Sequence, residues 1–384
     1  MIRKINKCTG CTACMNICPK EAIKMKADKE GFLYPYIDKK KCIECGLCER
    51  SCPILRKNVS YSMNPIVYAV KNKRDSVRKV SASGGVFSAI SDWILKEGGS
   101  VYGAIFEENF EVVHVRAQDN YVRDQMRGSK YVQSKLGPIF QKVKQDLERG
   151  QKVLFSGTPC QVDGLKHYLG KDYDTLYLCD IICHGVMSPY ILRDFIKLLR
   201  EKFHTMITSI CFRDKKEDWM NQRWIYCLKG RRERVDDVYL LKLKKLYRDH
   251  LVIRPSCYEC QYTNLNRISD ITIGDYWGID EAVPGFRDSL GVSCILIHTD
   301  KGKDLFKSIL EELEVIQTPV KKCMQPQLMY PPEMSEKRDE FWEYYKKHSF
   351  GKALNRYARL SFKDGIKARI PIIIRKKLKK IIKS

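Results

Sequence analysis

The sequence has no run of apolar residues long enough to cross a bilayer, and no apolar segment with a small-residue cleavage site follows its N-terminal Met-Ile-Arg-Lys. These absences argue against a membrane-spanning or disulfide-stapled secreted protein and predict a reducing, cytoplasmic compartment. Neither a G-x-G-x-x-G dinucleotide fingerprint nor a G-x-x-x-x-G-K-[ST] phosphate loop is present, so a Rossmann NAD site and an NTPase have no support. Acidic residues are few: 46 Asp and Glu against 70 Lys and Arg leave a formal net charge of +24. That excess favours acidic partners, but no nucleic-acid-binding module is recognisable and none is expected to be used. At 384 residues the chain can hold two or three domains and a sizeable core.

What the sequence has in plenty is cysteine, 17 residues in all. Cys8, Cys11, Cys14 and Cys18 are spaced C-x2-C-x2-C-x3-C with Pro19 after them, and Cys42, Cys45, Cys48 and Cys52 repeat the spacing with Pro53 after them. This is the two-cluster ferredoxin pattern, in which the fourth cysteine of each run serves the other cluster. Cys8, Cys11, Cys14 and Cys52 are thus predicted to hold one [4Fe–4S] cluster, and Cys42, Cys45, Cys48 and Cys18 the other. Three thiolates on one tight loop can wrap three corners of a cubane, and the fourth corner needs a ligand from elsewhere. Gly10 and Gly46 let the backbone approach the sulfurs without a Cβ in the way. Zinc sites favour paired cysteines at longer separations, and disulfides do not suit a reducing compartment. Each cluster with its four thiolates carries −2, so two of them lower +24 to +20. The remaining charge suits an acidic electron-transfer protein or an anionic membrane surface.

The pattern of apolar runs divides the chain into an α+β ferredoxin-like domain over 1–57, a mixed α/β domain over 65–334 and a basic helical tail over 335–384. In the first, Ala22–Met25 and Phe32–Ile37 read as short strands. A polar linker, about Arg56 to Asn64, ends at Pro65. Beyond it, Ile66–Val70, Val101–Phe106, Val112–Val115, Val153–Phe155, Thr175–Ile182, Ile207–Phe212, Trp224–Leu228, Ile271–Ile273 and Val292–Ile297 read as strands. Val86–Lys96 and Leu136–Leu147 read as helices, and Pro159 and Pro189 open two more. The alternation implies an α/β core.

Ser83, Gly84 and Gly85 at a helix start suit an anion, and Arg127-Gly128-Ser129-Lys130-Tyr131 offers cations, a hydroxyl and a ring. An ordinary glycine-rich helix entry and a basic loop are the plain alternatives. Among the later cysteines, Cys257 and Cys260 form a C-x2-C pair, while Cys160 and Cys183 fall at element ends. The four are read as a third [4Fe–4S] site, with zinc or unliganded thiols as the alternative. Cys211, Cys227 and Cys294 lie in apolar strand patterns and are expected in the core; Cys179 fits either role, and Cys323 gives no indication. His184, beside Cys183, fits a proton relay or a hydrogen-bond donor to the site. Asp275 fits a ligand hydroxyl or a turn cap. The tail Ile370–Ser384 interleaves isoleucines with lysines, a pattern that suits peripheral contact with the inner face of a membrane or packing on the domain.

Taken together, Ser83-Gly84-Gly85, Gly128-Ser129-Lys130-Tyr131, Gly157-Thr158-Pro159-Cys160-Gln161, Cys183-His184-Gly185-Val186 with Ser188-Pro189, and Cys257-x2-Cys260 leading to Asp270–Asp275 resemble the coenzyme F420 hydrogenase/dehydrogenase beta-subunit family. The form resembled carries an N-terminal dicluster ferredoxin domain, and the resemblance runs from Cys8 to about Leu296. It implies an iron–sulfur flavoprotein with FAD, a further [4Fe–4S] cluster and a two-electron acceptor such as a deazaflavin. Relatives reduce coenzyme F420 or act on a chlorophyll intermediate, and many bacterial ones are found with cell-surface polysaccharide genes. By that resemblance Ser83, Gly84, Gly85, Gly128, Ser129, Lys130, Tyr131 and Thr158 are FAD-site residues, and Cys160, Cys183, Cys257 and Cys260 hold the third cluster. With FAD and a third cluster the charge becomes about +16. The expected function is relay of electrons between a ferredoxin-type carrier and the acceptor. The alternative is a non-catalytic electron-transfer subunit of a larger redox complex.

Overall fold

The computed structural model describes residues 7–56, 64–230 and 233–362. The N-terminal segment carries one antiparallel hairpin, β1 (Ile23–Ala27) and β2 (Leu33–Ile37), with a short helix in each cysteine run at Ala13–Asn16 and Leu47–Arg50. Gly10 and Gly46 sit at φ +74° and +72°, the left-handed region that only glycine enters freely, so the two cysteine loops turn where the sequence permits it.

Five strands follow: β3 (Ile66–Asn72), β4 (Ser100–Phe106), β5 (Val112–Ala117), β6 (Val153–Gly157) and β7 (Leu176–Ile181). A separate three-stranded antiparallel sheet, β8 (Ile207–Asp214), β9 (Arg223–Leu228) and β10 (Arg234–Val235), interrupts them. The chain then returns with β11 (Ile271–Asp275), β12 (Ser293–Ile297) and β13 (Leu313–Thr318). The large sheet has the order β13-β3-β12-β11-β7-β6-β4-β5. Its centre is parallel, with β11, β7, β6 and β4 pointing the same way; β12 runs against β11 and β3 against β12. The expected α/β core is therefore present.

Apolar side chains cover both faces of this sheet. Val86, Ile90 and Ile94 of the helix Val86–Lys96 pack on Val101, Leu154 and Ile271. Phe140 and Val143 of the helix Ile139–Glu148, with Val162 and Leu165 of the helix Pro159–Leu169, pack on Val153, Phe155 and Leu178. The helix expected from Leu136 starts three residues later, because Gly137 and Pro138 turn the chain into it. Ser188 caps the helix Pro189–Phe203, as the proline at its first position leads one to expect.

Residues expected in the basic tail contribute to the core. The helices Arg338–Lys347 and Phe350–Tyr357 bury Phe341, Trp342, Phe350 and Leu354 against the helices Pro189–Phe203 and Val238–Arg248 and the small sheet. The expected amphipathic stretch Ile370–Ser384 lies outside the described residues, as do 57–63 of the linker. No helix among the described residues is long and apolar enough to cross a membrane.

The ferredoxin-like segment is keyed into the body by specific contacts. Ser188 Oγ donates to the carbonyl of Glu30, whose carboxylate pairs with Arg338, and both partners of that pair are buried. Leu33 N donates to Gln133 Oε1, and Gln141 donates to the carbonyl of Asn16. Gly164, inside the helix Pro159–Leu169, lies so close that a Cβ there would stand 2.8 Å from Cys11 Sγ. The first cysteine loop thus rests directly on the helix that carries Cys160.

Candidate functional site

Every parallel strand of the large sheet ends at the same edge, and in open α/β sheets that edge is where ligands bind. A cavity of about 440 Å³ lies there, within the range of small-molecule sites. It is lined by Gly157 at the end of β6 and Thr158 after it, Cys183 and His184 after β7, Gly274 and Asp275 at the end of β11, and Ser81, Ala82, Ser83 and Gly85 in the turn beyond β3. Thr9, from the first cysteine run, closes one side.

Ser83, Gly85, Gly128, Ser129, Lys130, Tyr131 and Thr158 all line this cavity. Gly84 does not; it is packed beneath, where an added Cβ would meet Val70 O at 2.3 Å, and its N–H is held by Ser293 Oγ. The helix that follows begins at Val86, and Val86 and Phe87 of its first turn line the cavity beside Ser83. Lys130 Nζ donates to the carbonyls of Gln125 and Arg127, and burial pulls its pKa down to about 7. Tyr131 stacks on Tyr247 at 5.2 Å and on Trp224 at 5.8 Å, making a flat aromatic wall.

Asp275, half-buried at the end of β11, accepts a hydrogen bond from Arg213 Nη2 at 2.9 Å. Arg213 was not legible as a site residue; the one signal was a charged Arg213-Asp214-Lys215 group ending an apolar strand run. Arg127, Lys130, Arg213, Lys244 and Arg248 line the cavity against a single carboxylate, Asp275. A cavity so biased selects an anion, and it contains aromatic faces for a ring.

His184 Nδ1 accepts from Gln327 at 2.9 Å, and its Nε2 lies 3.1 Å from His250 Nε2. His250 Nδ1 must donate, because its partner is the carbonyl of Glu333; His250 Nε2 is then the acceptor and His184 Nε2 carries the proton. Burial, with His250 and Arg248 nearby, pushes the His184 pKa down to about 4 and keeps it neutral.

Twelve of the 17 cysteines fall into three groups of four. Cys8, Cys11, Cys14 and Cys52 surround one small cavity, and Cys18, Cys42, Cys45 and Cys48 surround another, the crossed grouping that the spacing predicts. Burial pushes the Cys160 thiol up to about 12, with Cys260 and Cys257 adding to the rise. Cys183 is raised well above its ordinary value by burial, then by Cys257, Cys160 and Cys260. Four half-buried thiols that repel one another as thiolates call for a cationic centre among them. Among the described residues no three His, Cys, Asp or Glu converge as a single ion requires; the two N-terminal groups instead stand around small cavities. Cys179 and Cys294 are buried in the apolar clusters of the large sheet, while Cys211 and Cys227, expected in the core, are half-buried on β8 and β9.

Cysteines grouped for clusters and keyed onto an α/β body define an iron–sulfur electron-transfer protein of oxidoreductase type. Residues 7–54 match the 4Fe-4S dicluster domain, and residues 150–322 match the C-terminal region of the coenzyme F420 hydrogenase/dehydrogenase beta subunit. The chain thus carries the C-terminal region of that beta-subunit family behind a dicluster domain at its N-terminus. Among solved structures it is similar to a chain of the F420-reducing [NiFe] hydrogenase complex from Methanosarcina barkeri, studied by xenon derivatization, with 16% identity and a TM-score of 0.45 over 76% of this chain and 91% of that one. No curated protein matches the chain.

Proposed function

We propose that the chain is an FAD- and iron–sulfur-dependent oxidoreductase. It takes single electrons from a ferredoxin-type carrier at its N-terminal clusters and passes them in pairs to coenzyme F420 or another two-electron acceptor, including one drawn from surface-polysaccharide synthesis. The observation that carries this reading is that Cys160 and Cys183 line the same cavity as Ser83, Lys130 and Tyr131, while the Cys11 loop lies against the Cys160 helix.

The residues present fit both groups. Arg127, Lys130 and the helix start at Val86 suit a pyrophosphate, Tyr131 offers its face to a ring, and Arg213 is held ready by Asp275. Cys160, Cys183, Cys257 and Cys260 supply four soft thiolates for a third [4Fe–4S] cluster. When bound, the flavin supplies the step between one-electron and two-electron carriers. The chain's own work is to bind and orient it, to keep water from the Tyr131 side with Trp224 and Tyr247, and to hold a proton on His184 Nε2.

Purified anaerobically, the protein is expected to contain about twelve iron atoms and about one FAD per chain. Iron and flavin quantitation with a visible spectrum checks this. About eight iron atoms and no flavin after reconstitution would remove both the third cluster and the FAD.

A further inference from the structure

Seven arginines are buried among the described residues: Arg78, Arg123, Arg213, Arg223, Arg254, Arg267 and Arg338. Six of them pair with a carboxylate: Asp288, Asp92, Asp275, Asp214, Asp180 and Glu30 respectively, Arg254 being passed over. Arg254 is 1% exposed and no carboxylate among the described residues lies within ion-pair distance of it. A buried charge left unmatched is costly, so something else must answer it.

Its surroundings show where the answer lies. Nε donates to the carbonyl of Cys8 at 2.9 Å, Nη1 to Gln133 Oε1 at 3.1 Å and Nη2 to the carbonyl of Leu33 at 3.0 Å. These acceptors are neutral, and they use three of the five N–H groups a guanidinium has. Gly10 leaves the room, since a Cβ there would stand 3.2 Å from Nη1. On its other side Arg254 leads straight into the Cys257 turn, whose N–H it receives at its own carbonyl. It therefore stands between the first cysteine group and the group of Cys160, Cys183, Cys257 and Cys260.

We infer that Arg254 is the shared counter-ion of the two inner clusters, one on Cys8, Cys11, Cys14 and Cys52 and the other on Cys160, Cys183, Cys257 and Cys260, and that it raises the reduction potential of both. For the second of these the inference rests on the third cluster proposed above. Each cluster takes up one electron, [4Fe–4S]2+ becoming [4Fe–4S]1+, and with its four thiolates goes from −2 to −3. A fixed positive charge alongside stabilises the more negative state. The outer cluster on Cys18, Cys42, Cys45 and Cys48 has a guanidinium of its own, Arg50 donating to the carbonyl of Cys45 at 3.1 Å, but that group is exposed and its charge is screened by water, whereas Arg254 is buried. Arg254 is thus a positioning residue that draws electrons inward from the outer cluster.

The test is an EPR-monitored redox titration of the holoprotein and of Arg254→Gln, Arg254→Met and Arg254→Lys. In the two neutral variants the inner potentials are expected to fall by at least a tenfold change in the one-electron equilibrium, about 59 mV. The outer potential should stay in place, and Lys should retain most of the wild-type values. Unchanged inner potentials in a neutral variant with full iron overturn the inference, as does a Lys variant that shifts as far as Gln. If the neutral variants fail to load iron, loading by Lys supports the charge role and failure by Lys overturns it. Wild-type protein with about eight iron atoms would sink the third cluster alone, and the first cluster's shift would still decide the role of Arg254.

Discussion

Replacing Cys160 by serine is expected to remove about four iron atoms per chain and to bring flavin reduction through the N-terminal clusters down to background. A serine hydroxyl is a hard, weakly acidic donor and does not substitute for a soft thiolate on iron. The fold should survive the change. Cys160 occupies the first turn of the helix Pro159–Leu169, where Thr158 N donates to Gln161 Oε1 and the buried Val162 and Leu165 hold the helix on the sheet. Cys179→Ser is the control: that thiol is 1% exposed, packed among Val70, Leu154 and Ile271, with no other cysteine facing it. It should cost stability, about 1–3 kcal/mol for a buried hydroxyl poorly matched, and leave the iron content unchanged. Iron analysis and stopped-flow absorbance of the two variants check the pair. Full iron in Cys160→Ser would remove that residue from the ligand set.

Arg338→Ala is expected to destabilise the protein by about 3–5 kcal/mol, the cost of leaving a buried carboxylate without its partner. Glu30, in the turn between β1 and β2, is 7% exposed, and Arg338, at the start of the helix Arg338–Lys347, is 5% exposed. Arg338 also donates from Nε to Tyr258 Oη at 3.1 Å, so one side chain ties the ferredoxin-like hairpin, the Cys257 turn and the C-terminal helix together. Removing both charges in Glu30→Gln with Arg338→Met should cost less than Arg338→Ala alone, because no orphan charge remains. Urea unfolding of the anaerobic holoproteins measures the difference. A double variant as unstable as the single one would mean that packing of the arginine stem, and not its charge, holds the joint.

The N-terminal cysteine groups were the most legible part of the chain, since their spacing alone sorts Cys52 with the first run and Cys18 with the second. The central strands were legible as well, because β6, β7 and β12 are mostly buried and apolar. The edge strand β13 was missed; Glu314, Ile316 and Gln317 face outward and dilute its pattern. The charged faces of the helices Arg338–Lys347 and Phe350–Tyr357 hide the buried Phe341, Trp342 and Leu354, so this part of the sequence reads as a basic tail. Arg213 and Arg254 escaped notice for a common reason. Each is a charged residue placed in the interior by tertiary contacts with distant segments, Asp275 in one case and Cys8 and Leu33 in the other. Gly84 was grouped with Ser83 and Gly85 by adjacency, whereas its space is taken up by Val70 and Ser293.

The central claim is one continuous route from the N-terminal clusters, past Arg254, to a flavin in the cavity at the sheet edge. An anaerobic reductive titration that counts the electrons taken up per chain tests it most directly. Three clusters at one electron each and a flavin at two predict about five equivalents, with flavin bleaching among them. An end point at about two equivalents, with no flavin absorbance to bleach, would contradict it.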